Sequence, residues 1–127
     1  KGQRVKTSST LKGYDNSALI DDDKKTYWAS DINDQNPKIE IHLDNPVRVN
    51  TFMIQEYLPM GQRIKSFYFE VFSGGNWEKM YEGSTIGNKR LIRFQTQTIE
   101  RVRFTVNDKK SQIVISNIGL FKAKDFR

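Results

Sequence analysis

Apolar residues along this chain recur at every second position far more often than at helical spacing, so the pattern predicts strands and almost no helix. Val5 to Thr10 reads as a short first strand rich in hydroxyl side chains. Ile39, Ile41 and Leu43 alternate with Glu40 and His42, a half-buried strand that Asn45-Pro46 should stop. Val47 to Tyr57 is the next, with Phe52 and Ile54 on one face, before Pro59 and Gly61 turn the chain. Ile64 to Phe72 puts Phe67, Phe69 and Val71 inward, and Gly74-Gly75-Asn76 makes a hairpin into Trp77 to Tyr81. Gly83 and Gly87 punctuate a loop, after which Leu91 to Phe94, Arg101 to Val106 and Ile113 to Phe121 complete the set. About eight short strands at regular turn spacing predict an all-β fold, an antiparallel β-sandwich.

One stretch fits neither strand nor helix. Asp21-Asp22-Asp23 is followed by Thr26 and then by Trp28. Adjacent carboxylates repel and disfavour regular structure, so something else must justify them. A hard cation in a tight loop would do so, and oxygen ligands close in sequence suit calcium. A solvated acidic turn, with Trp28 packed into the core, accounts for the same residues.

Composition narrows the picture. A chain of 127 residues makes one domain with a real core, and 36% hydrophobic with 12% aromatic residues is a globular profile. No apolar run approaches membrane-spanning length. Beginning at Lys1-Gly2, the chain reads as a single module, residues 1–127, excised from a longer protein. With no cysteine there are no disulfides, no thiolate nucleophile and no cysteine metal site, and the redox compartment cannot be read. The net charge of +6 is spread along the chain. Its densest groups, Lys89-Arg90 with Arg93 and Arg101 with Arg103, fall in strand-like alternation, so no basic patch with stacking aromatics points to nucleic acid.

Catalytic chemistry is hard to place. His42 is the sole histidine and should face outward between Ile41 and Leu43 as an exposed structural residue. No nucleophile elbow or second histidine accompanies it. Glu56, Glu70 and Glu82 could supply a carboxylate pair, but a small sandwich rarely offers the cleft that such a pair needs. By alternation Glu56 shares the inward face of Phe52 and Ile54, which predicts a partly buried Glu56–Arg63 ion pair pinning the turn between them.

Ala18 to Ala29 resembles coagulation factor V/VIII type C (discoidin) domains, in which an acidic turn leads to Thr-x-Trp. The resemblance extends to Ile39-Glu40-Ile41-His42-Leu43 and to Ile115-Ser116-Asn117-Ile118-Gly119-Leu120-Phe121. Gln55 to Ile64 and Glu82 to Phe94 are similar to the C-terminal accessory module of retaining α-L-fucosidases. The resemblance implies a jelly-roll, galactose-binding-domain-like sandwich with a structural calcium. Its ligands would be the Ala18 carbonyl, Asp21, Asp23, Thr26 and the Ser116–Asn117 segment. Asp22 stands where the family has Gly, and Asn117 stands where it has Glu, which removes a charge and weakens the site.

For a sugar site the candidates are Tyr57, Gln62, Arg63 and Trp77, although Trp77, just after a hairpin turn, is read first as a core residue. Met60 and Gly61 stand where galactose-binding relatives place Arg and Asn, and Lys109-Lys110-Ser111-Gln112 brings no stacking ring. The implied function is a non-catalytic carbohydrate-binding accessory module of a secreted or periplasmic bacterial glycoside hydrolase, an α-L-fucosidase. It would be a monomer binding galactose- or fucose-containing glycans beside the parent catalytic domain. Two alternatives are a purely structural module packed on the catalytic barrel and an adhesion or anionic-surface module. The second is weakened because the Cys pair and exposed apolar spikes of such relatives are missing.

Overall fold

The computed structural model describes residues 3–10, 12–13, 16–20, 27–57, 59, 61, 63–86 and 89–122. Seven strands form it: β1 (Gln3–Thr7), β2 (Trp28–Ala29), β3 (Lys38–Glu56), β4 (Ile64–Ser73), β5 (Asn76–Gly83), β6 (Arg90–Lys109) and β7 (Val114–Phe121). A short 3-10 helix, Asn16–Ile20, lies between β1 and β2. Every strand pairing is antiparallel.

The expected short strands are present but joined. Ile39–Leu43 and Val47–Tyr57 belong to one strand, β3, and Leu91–Phe94 and Arg101–Val106 to another, β6. Asn45-Pro46 does not stop β3. It sits where the β3–β6 register shifts between His42 and Val47, so the missing proline N–H costs no ladder bond there. The first half of β3 pairs with β1 and with the second half of β6, which also carries β4 and, beyond it, β5. Its second half pairs with the first half of β6 and with β7, whose start carries β2. The two long strands therefore cross from one layer to the other, and the sandwich closes through them.

Phe52 in the second layer stacks on Phe69 of the first at 4.3 Å between centroids and lies 6.0 Å from Phe104. With Phe67 these rings are fully buried and form the centre of the core. At Gly74 and Gly75 both φ values are positive (62° and 86°), as a two-residue hairpin turn between Ser73 and Asn76 requires. Trp28 is fully buried, its ring N–H donating to the Ser9 carbonyl and the Thr10 hydroxyl, each at 3.1 Å. His42 faces outward as expected, yet its side chain is only 11% exposed and meets Glu40 at 2.8 Å.

Candidate functional site

Because β3 runs out along one layer and back along the other, Lys38 and Glu56 lie at the same end of the sandwich. Ile64 pairs with Lys109 there, and Trp28 with Ile115. Three connections converge on that end: residues 30–37, 57–63 and 110–113.

Backbone and side-chain hydrogen bonds lock the three together. Ser30 N donates to the Ile113 carbonyl and Ile113 N to the Ser30 hydroxyl, both at 3.0 Å. Gln112 Nε2 donates to the Ser30 carbonyl at 2.8 Å, and Arg63 Nη1 to the Gln112 carbonyl at 3.0 Å. Tyr57 N reaches the Val114 carbonyl at 3.0 Å, and the half-buried Tyr57 ring stacks on Tyr27 with centroids 4.1 Å apart. The result is a stacked tyrosine pair and a hydrogen-bonded guanidinium, tied respectively to Val114 and Gln112 at the same end; together they can offer a ring face and hydrogen-bond donors.

Glu56 braces the frame from below, in a way that corrects the expected ion pair. Its Oε2 accepts from the backbone N–H of Arg63 at 2.6 Å and of Ile64 at 3.1 Å, so a carboxylate in one layer caps the start of β4 in the other. The Arg63 guanidinium turns instead to Gln112. The reason is reach: Glu56 is 2% exposed and meets the peptide groups at the strand start before any side chain. Oε1 is buried with no partner among the described residues. Burial pushes the Glu56 carboxyl above its usual range, against the two amide bonds and the nearby Arg63 charge, which pull it down.

The 31–37 connection is held by a polar knot. Ser8 and Ser9 hydroxyls both donate to Asp34 Oδ2, at 2.5 and 2.6 Å, while Ser9 Oγ accepts from Asp31 N and Ser8 Oγ from Lys38 N, each at 2.9 Å. Asp31 opens a tight turn, its carbonyl accepting from Asp34 N at 3.0 Å and its Oδ1 from Asn33 N at 2.9 Å. Partial burial raises the Asp34 carboxyl, but the two hydroxyls and the neighbouring backbone outweigh it and hold the group below its usual range.

The family model of the F5/8 type C domain matches residues 4–119. The chain belongs to the F5/8 type C domain family. "Alpha-L-fucosidase 1" of Arabidopsis thaliana is 31% identical over 125 residues, which is 92% of this chain and 25% of that protein. A Ruminococcus gnavus GH29 fucosidase solved in complex with fucose superposes with a TM-score of 0.88 at 32% identity, over 98% of this chain and 26% of that one. The F5/8 type C domain therefore spans about a quarter of the length of these relatives. The family 32 carbohydrate-binding module of C. perfringens NanJ, in complex with galactose, shares the fold, with a TM-score of 0.84 at 16% identity over 94% of this chain and 93% of that one. Relatives include plant and bacterial proteins, so kinship does not point to a bacterial source. Among the described residues no helix is long and apolar enough to cross a membrane.

The sugar candidates divide. Tyr57 and Arg63 both lie at the loop end of this F5/8 type C domain, and Gln62 lies outside the described residues. Trp77 is elsewhere: it pairs with Phe72 beside the Gly74-Gly75 hairpin at the opposite end. The Arg103 guanidinium lies 4.1 Å over its ring, so Trp77 is neither a core residue nor part of the loop-end frame. Arg103 is in turn held by Glu70 at 2.8 Å. Tyr27, Gln112 and Ser30 were not singled out by the sequence. Only the turn chemistry of Asp31-Ile32-Asn33-Asp34 could have drawn attention to that region.

The residues implied for calcium also divide. Asp21, Asp23 and Thr26 lie outside the described residues. Ala18 is buried in the 3-10 helix, which packs on β7, the strand that carries Ser116 and Asn117. That position, and an oxygen-only donor set, fit a hard cation. The side chains are partly committed: Ser116 Oγ donates to the Gln55 carbonyl at 3.3 Å, and Asn117 Oδ1 accepts from Ile118 N at 2.9 Å. Among the described residues no three His, Cys, Asp or Glu side chains gather. The carboxylates of such a site would have to come from the Asp21–Asp23 run.

Proposed function

We propose that this F5/8 type C domain is the non-catalytic carbohydrate-binding module of a secreted α-L-fucosidase, acting as a monomer, and that its loop end holds a galactose- or fucose-containing glycan. The observation that carries this reading is the Tyr27–Tyr57 stack, at 4.1 Å between centroids, on the same end of the sandwich as the Arg63–Gln112 bond. Sugars present apolar C–H faces and a rim of hydroxyls, so they need an aromatic surface and a few rigid donors. Arg63 spends one donor on Gln112 and, as a guanidinium, has five. Fucosidase kinship over nearly the whole chain and a fold shared with a galactose-bound module support the assignment. A structural calcium between the acidic turn and β7 belongs to the same proposal and takes no part in contacting the glycan.

Calorimetric titration tests it. The domain should bind a fucosylated or galactosylated oligosaccharide with a millimolar or tighter Kd, about −4 kcal/mol or better. Tyr57→Ala should weaken binding by about tenfold, the order expected for losing one stacking ring. Unchanged affinity in that variant would put the site elsewhere.

A second reading has its own observation. Leu91 and Phe121, 57% and 47% exposed, flank Met53 and Gly119 on the outward side of the second layer. An apolar patch there, in a domain whose relatives are about four times longer, suits packing against the rest of such a protein. Poor solubility of a parent catalytic domain expressed without this module, together with no glycan binding, would favour that role.

A further inference from the structure

Four large apolar side chains stand exposed among the described residues: Ile32, Val47, Leu91 and Phe121. Single exposed apolar residues are ordinary, and the last three lie within strands, where branched and aromatic residues are favoured. Ile32 has no such explanation. It occupies the first corner of the Asp31–Asp34 turn, outside any strand, at a position where Pro is the favoured residue. It is the most exposed of the four, at 63%. Moreover, the turn is held in this exposed arrangement by the Ser8–Ser9–Asp34 knot and its own Asx bond.

Its place in the fold gives that exposure a use. Ile32 is two residues from Ser30, which bonds Gln112 and Ile113, and Gln112 bonds Arg63. Two residues span at most about 7 Å of chain, so Ile32 borders the frame that holds Tyr27, Tyr57 and Arg63. A branched aliphatic group at the rim of a sugar site has one chemical preference. It rewards a ligand methyl that it removes from water, and it offers no hydrogen bond to a hydroxyl brought to the same place.

We propose that Ile32 is the specificity-determining residue of the loop-end site, selecting sugars whose C6 is a methyl group, the 6-deoxyhexoses, over otherwise identical sugars with a C6 hydroxyl. The proposal rests on the carbohydrate reading of that end and adds to it which sugar class is preferred. Recognition of the ring and its other hydroxyls stays with the tyrosine pair and Arg63, common to both classes.

The test uses methyl α-L-fucoside and methyl α-L-galactoside, which differ only at C6, titrated calorimetrically into the folded domain. The fucoside should bind about fourfold more tightly, the effect of burying one methyl-sized group. Ile32→Ser should weaken the fucoside to the level of the galactoside and leave the galactoside unchanged, and Ile32→Val, which keeps branched methyls, should retain the preference. The melting temperature of both variants should match the parent, since the side chain is exposed. Equal affinity for the two glycosides, or a preference that survives Ile32→Ser, overturns the proposal while leaving the carbohydrate reading in place. Heat from neither glycoside overturns both.

Discussion

Glu56→Ala should lower the stability of the domain by about 2–5 kcal/mol, whereas Glu56→Gln should lower it by less at neutral pH. The alanine variant strands the amides of Arg63 and Ile64, which now share Oε2 in a buried setting. Each buried donor left without an acceptor costs about 1–3 kcal/mol. The glutamine oxygen can keep both bonds, and its Nε2 replaces an oxygen that has no partner among the described residues, so the variant trades a buried charge for unpaired amide donors. Chemical denaturation of the two variants checks the pair, and near-equal losses would show that the amide caps are not what matters. Arg63→Met provides the contrast. It removes one partly buried bond to the Gln112 carbonyl and should cost no more than about 1 kcal/mol.

The same residue sets a pH signature. Burial raises the folded-state pKa of Glu56 above the ordinary carboxyl value of 4.5. Such a group contributes most at acid pH, where it is protonated in both states, and that contribution is lost as pH rises through the folded pKa. The stability of Glu56→Gln relative to the parent should therefore climb from about pH 4.5 upward and then level off. Asp34, held below its usual range by Ser8 and Ser9, acts with the opposite sign. Comparing parent with variant at each pH cancels it.

The second large effect is that of calcium. If the acidic turn and the Ser116–Asn117 segment hold a calcium ion, a chelator should lower the melting temperature and added calcium should restore it. At a hundredfold excess over Kd the ion contributes about 3 kcal/mol. Its effect would be to tie the residues before β2 to β7, close to the Ala18-bearing helix already packed there. Asn117→Glu should tighten the site by returning a charge. A flat response to chelator would make Asp21-Asp22-Asp23 a solvated turn, with Trp28 needing no ion beside the bonds it makes to Ser9 and Thr10.

Alternation was a sound guide wherever one strand face is buried. Phe52, Ile54, Phe67, Phe69 and Val71 are all in the core, and the Gly74-Gly75 turn sits where two positive φ values are needed. What alternation cannot show is where a strand continues through a bend. Asn45-Pro46 carries every mark of a stop, yet the crossing between layers is where a ladder bond is dispensable. At Ser116 an extra residue in β7 lets both Ile115 and Ile118 face the core, a parity change with no local signal. At the candidate site, Tyr57 and Arg63 were legible because they flank a turn. Tyr27, Gln112 and Ser30 were not, since only pairing of distant segments brings them there. Glu56 was legible as a buried carboxylate, but not as a cap on peptide groups, because amides leave no mark in the sequence.

The central claim is that a glycan sits at the loop end, and mapping amide chemical shifts during a titration tests it most directly. With a fucosylated or galactosylated oligosaccharide added to the isotopically labelled domain, saturable shifts should concentrate at Tyr27, Ser30 to Asn33, Tyr57, Arg63 and Gln112. Shifts centred on Trp77 and Arg103, or no shifts at millimolar sugar, would contradict it.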